Sequence, residues 1–152
     1  MIVSDLLQNK YGSFPDHIIS CDENDVVANA IAKMANHKIG AVVISNDQGV
    51  AGVFSERDVI RLLNGQEADF RSTKLSDVMT KNVVGVTVTQ TAEDALNLMK
   101  QHGIRHLTVM DNKELVGFLS LRDLMLYRIE YATKSAQFLK DQIASQSDPL
   151  PM

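Results

Sequence analysis

Self-similarity constrains this chain more than any other feature. A shift of 65 residues lays Val26–Arg61 over Thr91–Leu126 without a gap. Ala30/Ala95, Met34/Met99, His37/His102, Ile39/Ile104, Gly52/Gly117, Ser55/Ser120, Arg57/Arg122 and Asp58/Asp123 are identical pairs. A second match sets Val3-Ser4-Asp5-Leu6-Leu7 over Leu75-Ser76-Asp77-Val78-Met79 at a shift of 72, so the first copy carries 7 extra residues. Gly12 and Pro15 mark a loop there, inside Gln8 to His17. Two copies are too few for a solenoid and suit a pair packed about a pseudo-two-fold axis.

Each copy reads helix, strand, helix, strand, strand, helix, which is an α/β fold. In the first copy the expected strands are Ile18–Cys21, Ala41–Ser45 and Val50–Phe54, with a helix over Val26–His37 and another from Ser55. In the second they are Asn82–Val86, His106–Met110 and Leu115–Leu119, with a helix over Thr91–His102 that Gly103 stops. The expected organisation is a first module over 1–66, a linker over 67–74, a second module over 75–128, a helical extension over 129–147 and a loose tail over 148–152. One copy alone buries little surface, which is the physical case for a fused pair sharing an apolar interface. Grooves between related modules are natural ligand sites.

At 152 residues with 15 Lys+Arg against 19 Asp+Glu, the chain is mildly acidic and offers no broad basic face for nucleic acid. One cysteine, Cys21, makes neither an internal disulfide nor a multi-cysteine zinc site. No stretch reads as a signal peptide or approaches the ~20 apolar residues of a membrane span. A cytoplasmic protein is expected, with neither membrane nor nucleic acid as partner.

Both copies carry one seven-residue statement at a strand-to-helix junction: Gly52-Val53-Phe54-Ser55-Glu56-Arg57-Asp58 and Gly117-Phe118-Leu119-Ser120-Leu121-Arg122-Asp123. Two readings stand side by side. Ser at the N-cap with Asp three residues on satisfies free N–H groups, a purely structural role. The same geometry also reads a sugar phosphate: a helix start attracts phosphate, a carboxylate accepts from ribose hydroxyls, and Arg57 or Arg122 adds a cation. Neither reading supplies a nucleophile–base pair or a metal cage, so no catalytic residue and no metal ligand is expected.

With these residues in view, the chain resembles a tandem pair of cystathionine-β-synthase (CBS) domains, the Bateman module. The resemblance covers nearly all of residues 3 to about 128. It is especially similar to small stand-alone bacterial CBS-pair proteins, through His37-Lys38-Ile39-Gly40-Ala41-Val42-Val43, Ser55-Glu56-Arg57-Asp58 and Arg105-His106-Leu107. The resemblance implies modules of a three-stranded sheet with two helices, joined through their sheets. It also implies adenosine-containing ligands in the inter-module clefts: AMP, ADP, ATP, NAD(H) or S-adenosylmethionine. The family's ribose-binding Asp falls on Asp58 and Asp123 and its Ser on Ser55 and Ser120. Its adenine- and phosphate-lining segment falls on Ile39-Gly40-Ala41 and Ile104-Arg105-His106, and backbone contacts near the first strand fall on Ile19, Thr80 and Val84. On this mapping Arg105 and His106 belong to the Asp123 cleft, while the Asp58 cleft is apolar there with Lys38 nearby. The Asp123 cleft is therefore expected to take the more highly phosphorylated or tighter ligand.

Other tempting residues read as structure. His102 and His106 are four apart, but Gly103 interrupts the helix that would align them on a metal. Cys21 reads as a strand cysteine, and Met79, Met99 and Met125 as core filler. Beyond the modules, Met125, Ile129, Ala132, Ala136, Leu139 and Ile143 form a weak heptad stripe. It either packs back on its own module or forms a homodimer contact. The functional expectation is an adenine-nucleotide sensor, not an enzyme, that signals to an unidentified regulated protein and has no catalytic cofactor. The alternative is a ligand-free structural or docking module whose Ser-x-x-Asp pairs are caps.

Overall fold

The computed structural model describes residues 1–12, 18–65 and 69–146. Their order is α1 (Val3–Tyr11), β1 (Ser20–Asp22), α2 (Val27–His37), β2 (Ala41–Asn46), β3 (Gly49–Ser55), α3 (Glu56–Asn64), a single 3-10 turn (Phe70–Ser72), α4 (Leu75–Val78), β4 (Gly85–Thr87), α5 (Ala92–His102), β5 (His106–Asp111), β6 (Glu114–Ser120) and α6 (Leu121–Gln146). The strands form two three-stranded sheets, β1-β2-β3 and β4-β5-β6, each with one parallel and one antiparallel pair. The repeat survives in register. Val42 faces Phe54 as Leu107 faces Leu119, and the hairpin irregularity falls between Ile44 and Ser45 in one sheet and between Val109 and Met110 in the other.

Alternation along the strands makes two kinds of core. Val42, Ile44 and Phe54 point to their own sheet's helices, as Leu107, Val109 and Leu119 do in the second sheet. Ala41 and Val43 turn the other way and meet Phe118 in a small cluster that joins the sheets, with Val53 and Leu115 at its edge. The helices α2 and α5 end alike, in a left-handed residue: Lys38 at φ 55° and Gly103 at φ 63°. Glycine takes that conformation without strain and lysine does not, so the two ends carry unequal cost.

The N-terminal helices are exchanged between the copies. Val3 and Leu6 of α1 are buried with Val86, Ala95, Met99 and Leu107 of the second copy. Leu75 of α4 is buried with Cys21, Val27, Ala30 and Phe54 of the first. Backbone bonds stitch each exchange: Val3 N–H donates to Gln90 O at 2.7 Å and Ser4 N–H to Val88 O at 3.0 Å, while Leu75 N–H donates to Asp25 O at 2.8 Å and Ser76 N–H to Glu23 O at 2.9 Å. Neither sheet has a complete core without a helix from the other half of the sequence.

Some expectations need correction. The first strand starts at Ser20, not Ile18, and the fourth at Gly85, not Asn82, because parallel pairing holds only Ser20–Asp22 against β2 and Gly85–Thr87 against β5. Met125 is not core: it is 46% exposed, since the buried position of that turn of α6 is taken by Leu124. Cys21 is buried in β1, and burial raises its thiol pKa above the ordinary value. Helix α1 runs on to Tyr11 and closes at Gly12, φ 63°, whereas α4 stops at Val78. The remainder of the expected loop, 13–17, and the tail at 147–152 lie outside the described residues, as do 67 and 68 of the expected linker.

Helix α6 is a single 26-residue helix. It does not pack back on its module beyond the first turns: Ile129, Leu139 and Ile143 are all more than half exposed. Apart from Met1 and Ile2, every large exposed hydrophobic among the described residues sits on α3 or α6, the two pseudo-equivalent helices. No helix among the described residues is long and apolar enough to cross a membrane.

Candidate functional site

Each strand-to-helix junction builds its cap as the motif dictates. At α3, Ser55 N–H donates to Asp58 Oδ2 at 2.8 Å and the Ser55 hydroxyl to the same oxygen at 3.2 Å. At α6, Ser120 N–H donates to Asp123 Oδ2 at 2.8 Å and Asp123 N–H donates to Ser120 Oγ at 3.0 Å. Beside each capped carboxylate lies a cavity, so capping and cleft occur at one place.

The two cavities share a wall. Gly40, Glu56, Arg105 and His106 line both. The Asp58 cavity, about 480 Å³, adds Ser55, Arg57 and Asp58 from the first copy, and Thr80, Val84 and Ile104 from the second. The Asp123 cavity, about 1040 Å³, adds Ser120, Arg122 and Asp123 from the second copy, and Lys38, Ile39 and Ala41 from the first. Both volumes suit a small-molecule ligand.

This arrangement crosses the copies and corrects the expected assignments: Lys38, Ile39 and Ala41 line the Asp123 cavity instead of the Asp58 one, and Ile104 lines the Asp58 cavity instead of the Asp123 one. Arg105 and His106 are not private to the Asp123 cleft, and the Asp58 cleft is not apolar at that wall. The crossing follows from how α3 is tied. Arg57 Nη1 donates to Gly103 O at 2.7 Å, which holds the start of α3 against the end of α5 and turns Asp58 towards the second copy's Ile104–His106 segment. Ile19 lines neither cavity; it packs against the first core just ahead of β1.

The two carboxylates differ in their partners. Asp58 is 2% exposed, and its Oδ1 accepts from Thr80 Oγ1 at 3.3 Å and pairs with Arg61 Nη2 at 3.0 Å. Asp123 pairs instead with Lys10, whose Nζ lies 2.6 Å from Oδ2. Lys10 also donates to Phe118 O at 2.7 Å and sits 5.2 Å from the centroid of the Tyr11 ring. The Tyr11 hydroxyl donates to Phe118 O at 2.9 Å and accepts from Phe118 N–H at 3.3 Å.

His106 stacks on Phe118 with ring centroids 5.5 Å apart and planes 17° from parallel. Burial lowers its pKa to about 4; the Lys10 and Arg105 cations push the same way, and Asp123 opposes them. At neutral pH the ring is uncharged, able to donate one hydrogen bond and accept another. Counting lysines, arginines and carboxylates alone, the Asp123 cavity is lined by four cations (Lys10, Lys38, Arg105, Arg122) against Glu56 and Asp123. The Asp58 cavity has three (Arg57, Arg61, Arg105) against Glu56 and Asp58. Both favour an anionic ligand, the larger one more strongly.

Sequence reasoning missed Lys10, Glu56 and Phe118 as lining residues. The repeat carried no signal for Lys10: the match at a shift of 72 ends at Leu7, and beyond it α1 runs on to Tyr11 where α4 stops at Val78.

The "CBS domain" family model matches residues 4–65 and again 75–130. A mitochondrial CBS domain-containing protein of Arabidopsis thaliana is 32% identical over 128 residues, which is 81% of this chain. The chain spans 62% of the length of that relative. Among solved structures, a CBS-domain containing protein from Agrobacterium tumefaciens superposes with a TM-score of 0.77 at 32% identity, covering 84% of this chain and 99% of that one. A CBS domain protein from Pyrobaculum aerophilum, complexed with AMP, gives a TM-score of 0.68 at 27% identity, covering 81% and 89%.

Proposed function

The chain belongs to the CBS domain family, and on that premise we propose that it is a regulatory module binding adenine nucleotides in its two clefts. The observation that carries this is the doubled Ser-x-x-Asp helix start, each set at a cavity lined from both copies with an excess of cations. The carboxylate offers acceptors for a ribose diol, and the helix start and arginines offer donors for phosphate. The AMP held by the Pyrobaculum protein supports this ligand class, with ADP, ATP and NAD(H) as further members. Because a ligand touches both copies, it stabilises one relative setting of the two sheets over another, which gives a partner protein something to read.

The reading extends to a homodimer through α3 and α6, which expose Ile60, Leu63, Ile129 and Leu139. It also extends to a cytoplasmic location, where a lone thiol such as Cys21 stays reduced, and it assigns the chain no catalytic step. The second reading, a docking module with purely structural caps, draws on one observation: both carboxylates already have partners, and Asp58 is buried.

Thermal unfolding with and without millimolar AMP, ADP, ATP and NADH separates the two, since a ligand of the folded state raises Tm by mass action. A rise with at least one nucleotide is expected; no rise with any of them selects the docking module. Calorimetric titration of Asp58→Ala and Asp123→Ala is expected to show unequal losses, with the Asp123 cleft accounting for the more phosphorylated ligand. Equal losses for every ligand remove that assignment.

A further inference from the structure

The cavities differ most in the cation that sits on the carboxylate. In the Asp58 cleft it is Arg61, one turn along the same helix, with its side chain 68% exposed. Such a pair is worth little and its cation can turn to water. In the Asp123 cleft it is Lys10, which arrives from α1, is 31% exposed, and is tied down by Phe118 O as well as by Asp123. No lysine lines the Asp58 cleft among the described residues, and Asn82, a neutral side chain, stands in its wall.

We propose that Lys10 is a specificity-determining residue: it acts as an internal counter-ion that makes the Asp123 cleft discriminate between phosphorylated and unphosphorylated nucleosides, whereas the Asp58 cleft discriminates weakly. This rests on the nucleotide-binding reading above. A ribose diol that spans both oxygens of Asp123 competes with Lys10 at Oδ2. A neutral nucleoside that wins this competition leaves the ammonium partly enclosed without its counter-charge, which is unfavourable. A phosphorylated nucleoside brings a replacement anion, and Lys38, Arg105 and Arg122 line the same cavity to meet the remaining charge. In the Asp58 cleft no enclosed cation has to be re-partnered, so loss of the phosphate removes its direct contacts and nothing more.

Calorimetric titration of the full chain with adenosine and with ADP tests this, using wild type, Lys10→Met and Lys10→Arg. Each protein is also studied in an Asp58→Asn background that leaves the Asp123 cleft to be read alone. In that background ADP is expected to bind about 30-fold or more tighter than adenosine. Lys10→Met should narrow that ratio to below about tenfold, by weakening ADP and strengthening adenosine. Lys10→Arg should keep the wild-type ratio. Stoichiometry gives a second measurement that does not require Asp58→Asn to fold: wild type takes a single adenosine but a pair of ADP molecules, and Lys10→Met takes a pair of either. A ratio and stoichiometry unmoved by Lys10→Met overturn the inference while leaving nucleotide binding intact, and so does an Asp58→Asn protein that folds but no longer takes ADP. Failure of wild type to bind either compound at millimolar concentration removes the nucleotide reading, and this inference with it.

Discussion

At the Asp58 cleft, Thr80 of the second copy closes against Val53 of the first through two main-chain bonds, of 2.9 and 3.0 Å. In the second copy the equivalent strand position, Phe118, is closed by a side chain, with the Tyr11 hydroxyl bridging its N–H and its C=O. The neighbouring glycines carry the same contrast. A Cβ on Gly52 would lie 2.7 Å from Thr80 O, a main-chain atom, whereas one on Gly117 would run into the end of the Leu7 side chain. The two copies share strand and helix geometry, but one cleft floor is closed by backbone and the other by a side chain. Side chains turn where backbone does not, so the Asp123 cleft has the more adaptable floor, and its cation, tyrosine and size are where it departs from its twin.

The sharpest way to break this comparison is to remove α1. Deleting residues 1–11 uncovers the second core, where Val3 and Leu6 are buried, and is expected to cost more than about 4 kcal/mol. Hydrogen exchange should then show β5 amides unprotected while β2 keeps its protection. Equal loss in both sheets means that the two cores melt as one. Next in size is the glycine pair. Gly52→Ala should cost about 2–4 kcal/mol because a main-chain oxygen cannot step aside, and Gly117→Ala about 1 kcal/mol because Leu7 can; denaturant midpoints compare them directly. Tyr11→Phe removes a hydroxyl that serves two main-chain groups of Phe118, and about 1–2 kcal/mol should go with it. The effect should be greater than that of Thr80→Val at the Asp58 cleft, whose main-chain bridge survives the substitution.

The smallest expected effect is a pH dependence supplied by His106. An unfolded imidazole takes up its proton near pH 6.5, whereas His106 in the fold does so near pH 4. Between those values the unfolded chain binds more protons, so this contribution is complete above pH 6.5 and is lost as pH falls towards 4. Its size is on the order of 1 kcal/mol for a ring that keeps some solvent contact. Thermal melts of wild type and His106→Asn across that range isolate it. Lys10→Met, followed by NMR titration, should move the His106 pKa upwards, since a cation that disfavours the imidazolium is gone while Asp123 remains.

Much of this architecture was legible in the residues. The doubled pattern, the apolar run Ala41–Ile44 and the stop at Gly103 all report local physics, and strand, helix and cap followed from them. What was not legible is long-range. The match of Val3–Leu7 to Leu75–Met79 identified two equivalent helices but not the sheet on which each packs, because an apolar helical face reads alike to either core. For the same reason Arg105 and His106 were assigned to one cleft and line both. Met125 carried the right apolarity for a core position, and only the rotation of α6 on its sheet showed that Leu124 takes the inward place. Lys10 lay in the stretch where the copies lose alignment, and there a pattern shared by two halves has nothing to say.

The exchanged helices have a consequence for how the protein comes into being. As a ribosome delivers the chain, α1 emerges well ahead of the strands and helix it covers, which end near Leu119 and Leu124. At about 5–20 residues per second it waits on the order of ten seconds with its apolar face unclaimed. Leu75 reaches the first sheet far sooner, so that half can close while synthesis continues. During the delay α1 of one nascent chain can equally well cover the second sheet of another, and crowded polysomes should yield strand-sound, helix-swapped pairs.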